Sequence, residues 1–174
     1  MKTRNRTTLA LDPGLRELGF AVFSGKRLAD GGVLPLRALP QHQRLSAARR
    51  QLKLWVRAYK PKALVIEQTH HHPVPWLDDL YRLVGSATRL ARKRRMRLAT
   101  YSPQTVRKSV VGNGWATKRE VAEIVAAKYP ALRIFLTQDR KWKERYWQNM
   151  FDAIALGLHD RSVHQPPSRG RSCG

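Results

Sequence analysis

Three carboxylates in this sequence lie next to apolar segments. Asp12 and Glu67 each follow a run of three or more apolar residues, and Asp152 lies within an apolar stretch near the end of the chain. Taken singly, they are explained by a turn, a solvated strand end and a helix-surface acid. Together, an acid after the first strand, an acid ending a later buried strand and an acid on a late helix can converge on one point.

Such a convergence indicates metal chemistry. An ionised carboxylate at the edge of an apolar core is costly unless a cation or hydrogen bonds compensate it. Clustered carboxylate oxygens are hard ligands that suit Mg²⁺ or Mn²⁺. In a strongly basic protein, this cluster predicts two-metal phosphodiester hydrolysis, in which the ions activate the attacking water and stabilise the leaving oxygen.

The charge balance predicts a polyanionic partner. The 174 residues include 34 Lys and Arg against 12 Asp and Glu, for a formal net charge of +22. Such a field attracts phosphate, so nucleic acid is the expected partner and an anionic membrane surface the weaker alternative. No window approaches the ~20 apolar residues that a membrane span needs. Cys173 is the single cysteine, which excludes an intrachain disulfide and predicts a reducing, cytoplasmic setting.

Apolar periodicity predicts an α/β domain in residues 1–160 and a basic, disordered tail in 161–174. The order of the first elements is β-β-β-α-β, a mixed sheet with helices packed against it. Predicted strands are Thr7–Leu11, Leu18–Phe23, Leu28–Leu36, Ala63–Ile66 and Leu98–Tyr101. Predicted helices are Gln41–Tyr59, Trp76–Arg95, a helix beginning at Ser102-Pro103 and ending at Gly112, Lys118–Tyr129 and Trp147–His159. Residues 130–146 are charged and fit no single element.

Four segments of the sequence resemble the RuvC family of Holliday-junction resolvases. They are residues 11–22 around Asp12, 63–68 ending in Glu67-Gln, 106–121 with Gly112-Asn-Gly-Trp-Ala-Thr-Lys118, and 152–156 beginning at Asp152. They occur in the family's order and at similar spacings.

The resemblance implies a ribonuclease-H-like fold, with a mixed five-stranded sheet and helices on both faces. It also implies a homodimer that nicks four-way DNA junctions with Mg²⁺, or Mn²⁺, as two ions per active site. Asp12, Glu67 and Asp152 stand at the family's catalytic carboxylate positions, and Lys118 matches a lysine near the scissile phosphate. Branch-migration machinery is a further partner compatible with this function.

The sequence departs from the family pattern at three places. Asn149 stands where the family usually has an acid or a histidine. Because it lies three residues before Asp152, it shares that helix face and is predicted as a neutral catalytic ligand to the same metals; the alternative is a side chain that is only solvated near the start of the helix. His70 to His72 follow Glu67, where resolvases often have a stacking aromatic residue. Residues 130–146 form a longer, more basic link.

Basic residues and one tryptophan are predicted to contact DNA. Phosphate contacts are expected from the clustered cations, and base stacking from Trp115, which lies beside glycines in a basic loop. The predicted DNA-binding residues are His70, Arg92, Lys93, Arg94, Arg95, Arg107, Lys108, Trp115, Lys118 and Arg119.

Two other functions remain open on the sequence. One is a ribonuclease-H-like nuclease, nearer the RuvX relatives, with another nucleic-acid substrate. The other is a branched-DNA-binding protein with weakened catalysis, which Asn149 favours. The helix at Trp76–Arg95 has apolar residues extending to Leu83 and Leu90, a face wider than one sheet requires, which predicts that this helix mediates dimerisation. The alternative is that residues 130–146 of the same chain cover this face.

Overall fold

A computed structural model describes residues 7–68, 78–136 and 141–164, with side chains in the last range from residue 146 onward. Five strands form one mixed sheet in the order β3-β2-β1-β4-β5. Strand β1 pairs antiparallel with β2 and parallel with β4, and β4 pairs parallel with β5. The strands are β1 Thr7–Asp12, β2 Glu17–Ser24, β3 Arg27–Pro35, β4 Ala63–Glu67 and β5 Arg97–Tyr101. The mixed five-stranded sheet predicted from the sequence is confirmed.

The register of the two central strands determines where the acids lie. Apart from their terminal acids and Thr7 and Thr8, β1 and β4 are runs of buried apolar residues, as expected for strands covered on both faces. Leu11 is paired with Ile66 in the parallel ladder. Asp12 and Glu67 therefore emerge side by side at the carboxyl edge of the sheet.

Helices cover both faces of the sheet. The helices are α1 Gln41–Tyr59, α2 Asp78–Lys93, α3 Pro103–Val111, α4 Lys118–Lys128 and α5 Lys141–His164, with a 3₁₀ helix at Pro130–Phe135. Alternate residues of the strands form two apolar cores. One core packs β1 and β4 residues such as Leu9 and Leu64 against α1 and α2. The other packs Ala10 and Val65 against α3, α4 and α5.

Local sequence signals explain the helix ends. The amide of Thr105 donates to Ser102 Oγ (3.1 Å) at the start of α3, which has proline in its first turn. Gly112 ends α3 with φ 87°, a left-handed conformation that favours glycine. Thr117 and Glu120 form the predicted capping box of α4.

Two sequence predictions about helices are wrong. The last helix runs from Lys141 to His164 rather than from Trp147 to His159, so it includes part of the unassigned link and continues into the predicted tail; residues 165–174 lie outside the described ranges. Leu83 does not belong to a partner surface, because it is buried in the chain's own core; Leu90 is half-buried and packs against the same core.

Helix α5 lies unusually close to the sheet at two glycines. A Cβ atom on Gly19 of β2 would lie 2.0 Å from the backbone oxygen of Asn149, and a Cβ on Gly157 of α5 would lie 2.2 Å from Cε2 of Phe23. Real Cβ contacts are never so short, so only glycine permits this approach. The contact at Gly19 therefore sets the distance between α5 and β2, the strand that pairs with β1.

The carboxyl-terminal half of α5 is anchored to the edge strand. Asp160 is 1% exposed and accepts hydrogen bonds from Arg97 Nη1 (2.9 Å) and Nη2 (2.5 Å) and from the Tyr101 hydroxyl (3.0 Å). The bidentate guanidinium pair compensates the buried charge. No helix in the described part of the chain is long and apolar enough to cross a bilayer.

We predict that Gly19→Ala destabilises the fold by roughly 3 kcal/mol, the upper end of the usual cost of overpacking, because α5 must move from β2. Gly31→Ala is the matched control, since its Cβ would meet Phe20 O at an ordinary 3.5 Å. Urea unfolding of both variants measures the difference. Equal free energies of unfolding for the two variants would contradict the account.

Candidate active site

Two strands and one helix bring the three predicted carboxylates to one place. Asp12 ends β1, Glu67 ends β4, and α5 crosses the same sheet with Asp152 in its middle. The Asp152 side chain is 12% exposed. Glu67 and Asp152 line a common cleft of about 400 Å³, and the charge of both raises the pKa of Asp12.

Burial and the neighbouring negative charges disfavour the ionisation of Asp12 and Glu67. Withdrawal from water, followed by the charges of Glu67 and Asp152, raises the pKa of Asp12 well above its ordinary value, against the lowering effect of Lys118. Withdrawal from water and the charge of Asp152 raise the pKa of Glu67 to about 7, against the effects of Lys118 and Arg107. Carboxylates whose ionised forms are destabilised in this way bind a cation favourably, because the cation offsets their negative charge.

Lys118 lies at the first position of α4 and supplies part of that positive charge. Its Nζ donates to Asp152 Oδ2 at 2.9 Å. Partial burial lowers the pKa of Lys118, but attraction to Asp152, and less to Asp12 and Glu67, outweighs it and raises the pKa overall. The ammonium is therefore charged at neutral pH, beside the acids.

Gln148 is a site residue that sequence reasoning missed. Its Nε2 donates to Asp152 Oδ1 (3.0 Å) and to the backbone oxygen of Lys118 (3.2 Å). Gln148 thus connects α5 to the start of α4 and holds one oxygen of Asp152. Its position four residues before Asp152 on one helix is the signal that could have identified it.

Asn149 lies where β2 begins, beside the loop that follows Asp12. Its Nδ2 donates to the backbone oxygen of Glu17 at 2.8 Å and lies 3.7 Å from the position a Cβ on Gly14 would occupy. The amide therefore has a structural contact in addition to the predicted ligand function of its oxygen. A carboxylate here would lose the donor and face a carbonyl oxygen.

The predicted DNA-binding residues fall into two groups. Arg107, Trp115 and Lys118 line the cleft with Glu67 and Asp152, and Lys108 lines an adjoining depression with Trp115. Trp115 is 83% exposed, and its backbone amide donates to Asn113 Oδ1 (2.9 Å). Exposed Arg119 follows Lys118 on α4 and pairs with Glu123.

The second group lies away from the acids. Arg92 to Arg95 lie at the end of α2 and in the turn that leads to the amino end of β5. At that end Arg97 is paired with Ala63, the first residue of β4. Glu67 ends β4 and Asp12 ends the neighbouring β1, both at the opposite, carboxyl edge of the sheet. The structure therefore does not bring these four cations to the cleft, and His70 lies outside the described residues.

The carboxylate oxygens of Asp12, Glu67 and Asp152 are ligands of the kind that a hard divalent cation prefers. Among the side chains described, those of 7–68, 78–136 and 146–164, no three His, Cys, Asp or Glu residues form a group that could hold one ion. The ammonium of Lys118 donates a hydrogen bond to Asp152 Oδ2. The oxygen donors, and the mutual destabilisation of their charges, nevertheless match what Mg²⁺ or Mn²⁺ requires.

Comparison with known proteins identifies relatives along most of the chain. The sequence model of the family described as crossover junction endodeoxyribonuclease RuvC matches residues 8–135. The chain is 30% identical over 160 residues to the crossover junction endodeoxyribonuclease RuvC of Akkermansia muciniphila, covering 86% of this chain and 87% of the relative. It is 32% identical over 128 residues to that of Xanthobacter autotrophicus, covering 70% and 76%.

Solved structures show the same fold. Thermus thermophilus RuvC in complex with Holliday junction substrate superposes with a TM-score of 0.69 at 18% identity, covering 91% of this chain and 96% of that one. The yeast mitochondrial Holliday junction resolvase Ydc2 gives 0.65 at 14% identity, covering 92% and 82%. These superpositions extend the likeness beyond the segment that the family's sequence model matches. The chain belongs to the RuvC family of crossover junction endodeoxyribonucleases.

Proposed function

We propose that this protein is a Holliday-junction resolvase, a metal-dependent endonuclease that nicks four-way DNA junctions by phosphodiester hydrolysis. The observation that carries the proposal is geometric: β1 and β4 end side by side in Asp12 and Glu67, and α5 brings Asp152, with Lys118 Nζ at 2.9 Å from its Oδ2, to the cleft that Glu67 lines. Membership of the RuvC family supports it, as does the likeness to a relative solved with Holliday junction substrate.

In this proposal the chain's own residues hold the metal and the phosphate. Asp12, Glu67 and Asp152 would bind two Mg²⁺ ions, or Mn²⁺ in their place, and the amide oxygen of Asn149 would assist. When bound, the ions would activate a water for attack and stabilise the leaving oxygen. Lys118, charged beside Asp152, offsets negative charge that develops on the phosphate.

DNA would enter the cleft between basic and aromatic side chains. Arg107 and Lys118 line it and provide phosphate contacts, with Lys108 and Arg119 beside them. Trp115 at its mouth offers a large exposed ring for stacking on an unpaired base. Because phosphate contacts dominate, affinity should fall steeply with salt and junction preference must come from shape.

A branched-DNA-binding protein with weakened catalysis is the second candidate. One observation favours it: Asn149 is neutral, and its Nδ2 donates to the backbone oxygen of Glu17. Nicking of a synthetic four-way junction in Mg²⁺ or Mn²⁺ separates the two candidates. A RuvX-like enzyme would instead prefer another nucleic-acid substrate in the same assay.

We predict that Asp12→Asn and Glu67→Gln lower the nicking rate by orders of magnitude and leave junction binding intact. Each substitution keeps the side-chain shape and removes charge that would hold metal. Binding is measured by gel shift and nicking on the same labelled junction. Asp78→Asn, at an exposed acid that pairs with Arg82, is the control and should nick normally. Normal nicking by either site variant would exclude the carboxylate cluster as the active site.

The raised pKa of Glu67 predicts how metal-free stability depends on pH. The folded state holds a proton on Glu67 up to pH about 7, whereas the unfolded chain loses it near 4.5. Raising the pH through this window therefore lowers the free energy of unfolding, by up to about 3 kcal/mol at ~1.4 kcal/mol per pKa unit. Glu67→Gln should remove much of this loss and be more stable than the unsubstituted protein at pH 8.

Thermal unfolding in EDTA between pH 5 and pH 8 measures this effect. Added Mn²⁺ should raise the melting temperature of the unsubstituted protein at pH 8 and raise that of Glu67→Gln much less, because a ligand that binds only the folded state stabilises it. A flat pH profile without metal, or an equal shift in both proteins, would contradict the proposed metal site.

A homodimer is proposed through the outer flank of α2 and the edge strand β5. The core side of α2 holds Leu83, Ala87 and Ala91, which leaves half-buried Val84 and Thr88 on the flank. In β5, Leu98 is paired with Leu64 and so points to the α1–α2 face, yet is 36% exposed. This flank is continuous with an unpaired sheet edge among the described strands, which suits a second copy.

Sedimentation at micromolar concentration in moderate salt should therefore show twice the 20.0 kDa chain mass. Leu98→Lys should shift the protein toward monomer, because a charge would be buried at the interface. Leu54→Lys, at a leucine of α1 that is 48% exposed, should leave the dimer unchanged. A strict monomer for the unsubstituted protein would exclude the dimer.

A further inference from the structure

A basic groove lies between α1 and α2, on the face of the sheet opposite the cleft. It has a volume of about 340 Å³. Four cations line it, two from each helix, with a serine and two leucines between them. The lining residues are Arg49, Leu52, Lys53, Ser86, Arg89, Leu90 and Lys93. Apart from Lys93, none of these cations has a part in the cleft or in the DNA contacts proposed above.

Two guanidinium groups in this groove converge on one neutral oxygen. Arg49 Nε donates to Ser86 Oγ at 2.8 Å, and Arg89 Nη2 donates to the same atom at 3.2 Å. Ser86 Oγ donates in turn to the backbone oxygen of Arg82 at 2.6 Å, and Arg49 Nη2 lies 3.3 Å from that oxygen. The hydroxyl therefore positions two like charges close together across the two helices.

Among the residues that the structure describes, no acid pairs with the four cations that line the groove. Helix α1 contains five Lys and Arg residues and no acidic residue. The two acids of α2, Asp78 and Asp79, both pair with Arg82. Within the described residues, the groove lining itself contains no carboxylate. Like charges held this close repel one another, and an anion between them relieves that repulsion.

We propose that this groove is a second phosphate-binding site, which takes the phosphodiester backbone of a DNA segment remote from the scissile phosphate. Planar guanidiniums held in a fixed orientation match phosphate oxygens, and flanking lysines add point charges. The helical layer separates the groove from the acids, so its ligand is not the phosphate in the cleft. That the anion belongs to DNA rests on the proposed function; that the groove binds phosphate does not.

The first test compares two double variants that remove equal charge from the same helical layer. Arg49→Gln with Arg89→Gln removes the converging pair, whereas Arg50→Gln with Arg57→Gln removes two exposed arginines of α1 that do not line the groove. Binding is measured against salt on four-way junctions whose arms are one or three helical turns long. Nicking of the short-armed junction at saturating protein measures the cleft alone.

The groove variant should bind the long-armed junction on the order of tenfold more weakly, with a salt slope smaller by about 2, since each lost phosphate contact removes about 0.9. Nicking of the short-armed junction should be unchanged. Lys53→Gln alone should weaken binding of the long-armed junction in the same direction, with a salt slope smaller by about 1, without disturbing the Ser86 contacts. Equal losses in the groove and Arg50/Arg57 variants would overturn the proposal, because net charge alone would then explain binding.

The second test needs no DNA. Inorganic pyrophosphate should raise the melting temperature of the unsubstituted protein more than that of the Arg49→Gln, Arg89→Gln variant. If this difference is found but long-armed binding is unaffected, the groove takes a free anion and its assignment to DNA is overturned. If no junction is nicked at all, the proposed resolvase activity fails, while the pyrophosphate difference still supports the phosphate site.

Discussion

The close approach of α5 to strand β2 is the constraint on which the site depends. Because Gly19 has no side chain, the backbone of Asn149 rests directly on the strand. This contact sets the height of α5, and the helix then carries Asp152 over the carboxyl ends of β1 and β4. Gln148 and Asn149 extend the same contact outward, one to the start of α4 and the other to Glu17. A helix one side-chain diameter higher would separate Asp152 from the other two acids.

The site so formed is electrostatically expensive. Burial and mutual repulsion raise the pKa of Asp12 and of Glu67 at the same time, and Lys118 relieves only part of the repulsion. Folded proteins retain such arrangements where charge must be held ready for a ligand. The rest of the domain offsets this loss of stability with two continuous apolar cores. At the carboxyl end of α5, the buried Asp160 accepts hydrogen bonds from Arg97 and Tyr101.

Much of the architecture could be predicted because local signals and tertiary structure agree. The apolar runs, the capping box at Thr117 and the helix stop at Gly112 are all where the sequence places them. The order of acids also predicted their proximity, since parallel strands end at one edge. What could not be predicted depends on partners distant in sequence. Leu83 is equally suited to a core and to a partner interface, and only the position of the sheet decides which of the two it contacts. In the same way, no local pattern reveals that Asn149 donates to the backbone oxygen of Glu17, 132 residues away.

The sheet divides the molecule into two layers with separate cores, and this division has an evolutionary consequence. The chemistry draws on the sheet and on the layer of α3, α4 and α5, whereas α1 and α2 touch the acids only through the strands between them. Substitutions in the α1–α2 layer can therefore accumulate under selection for assembly and affinity while hydrolysis is held constant. Homologues of such a protein can therefore differ in oligomeric assembly and in affinity for DNA while they keep the same hydrolytic reaction.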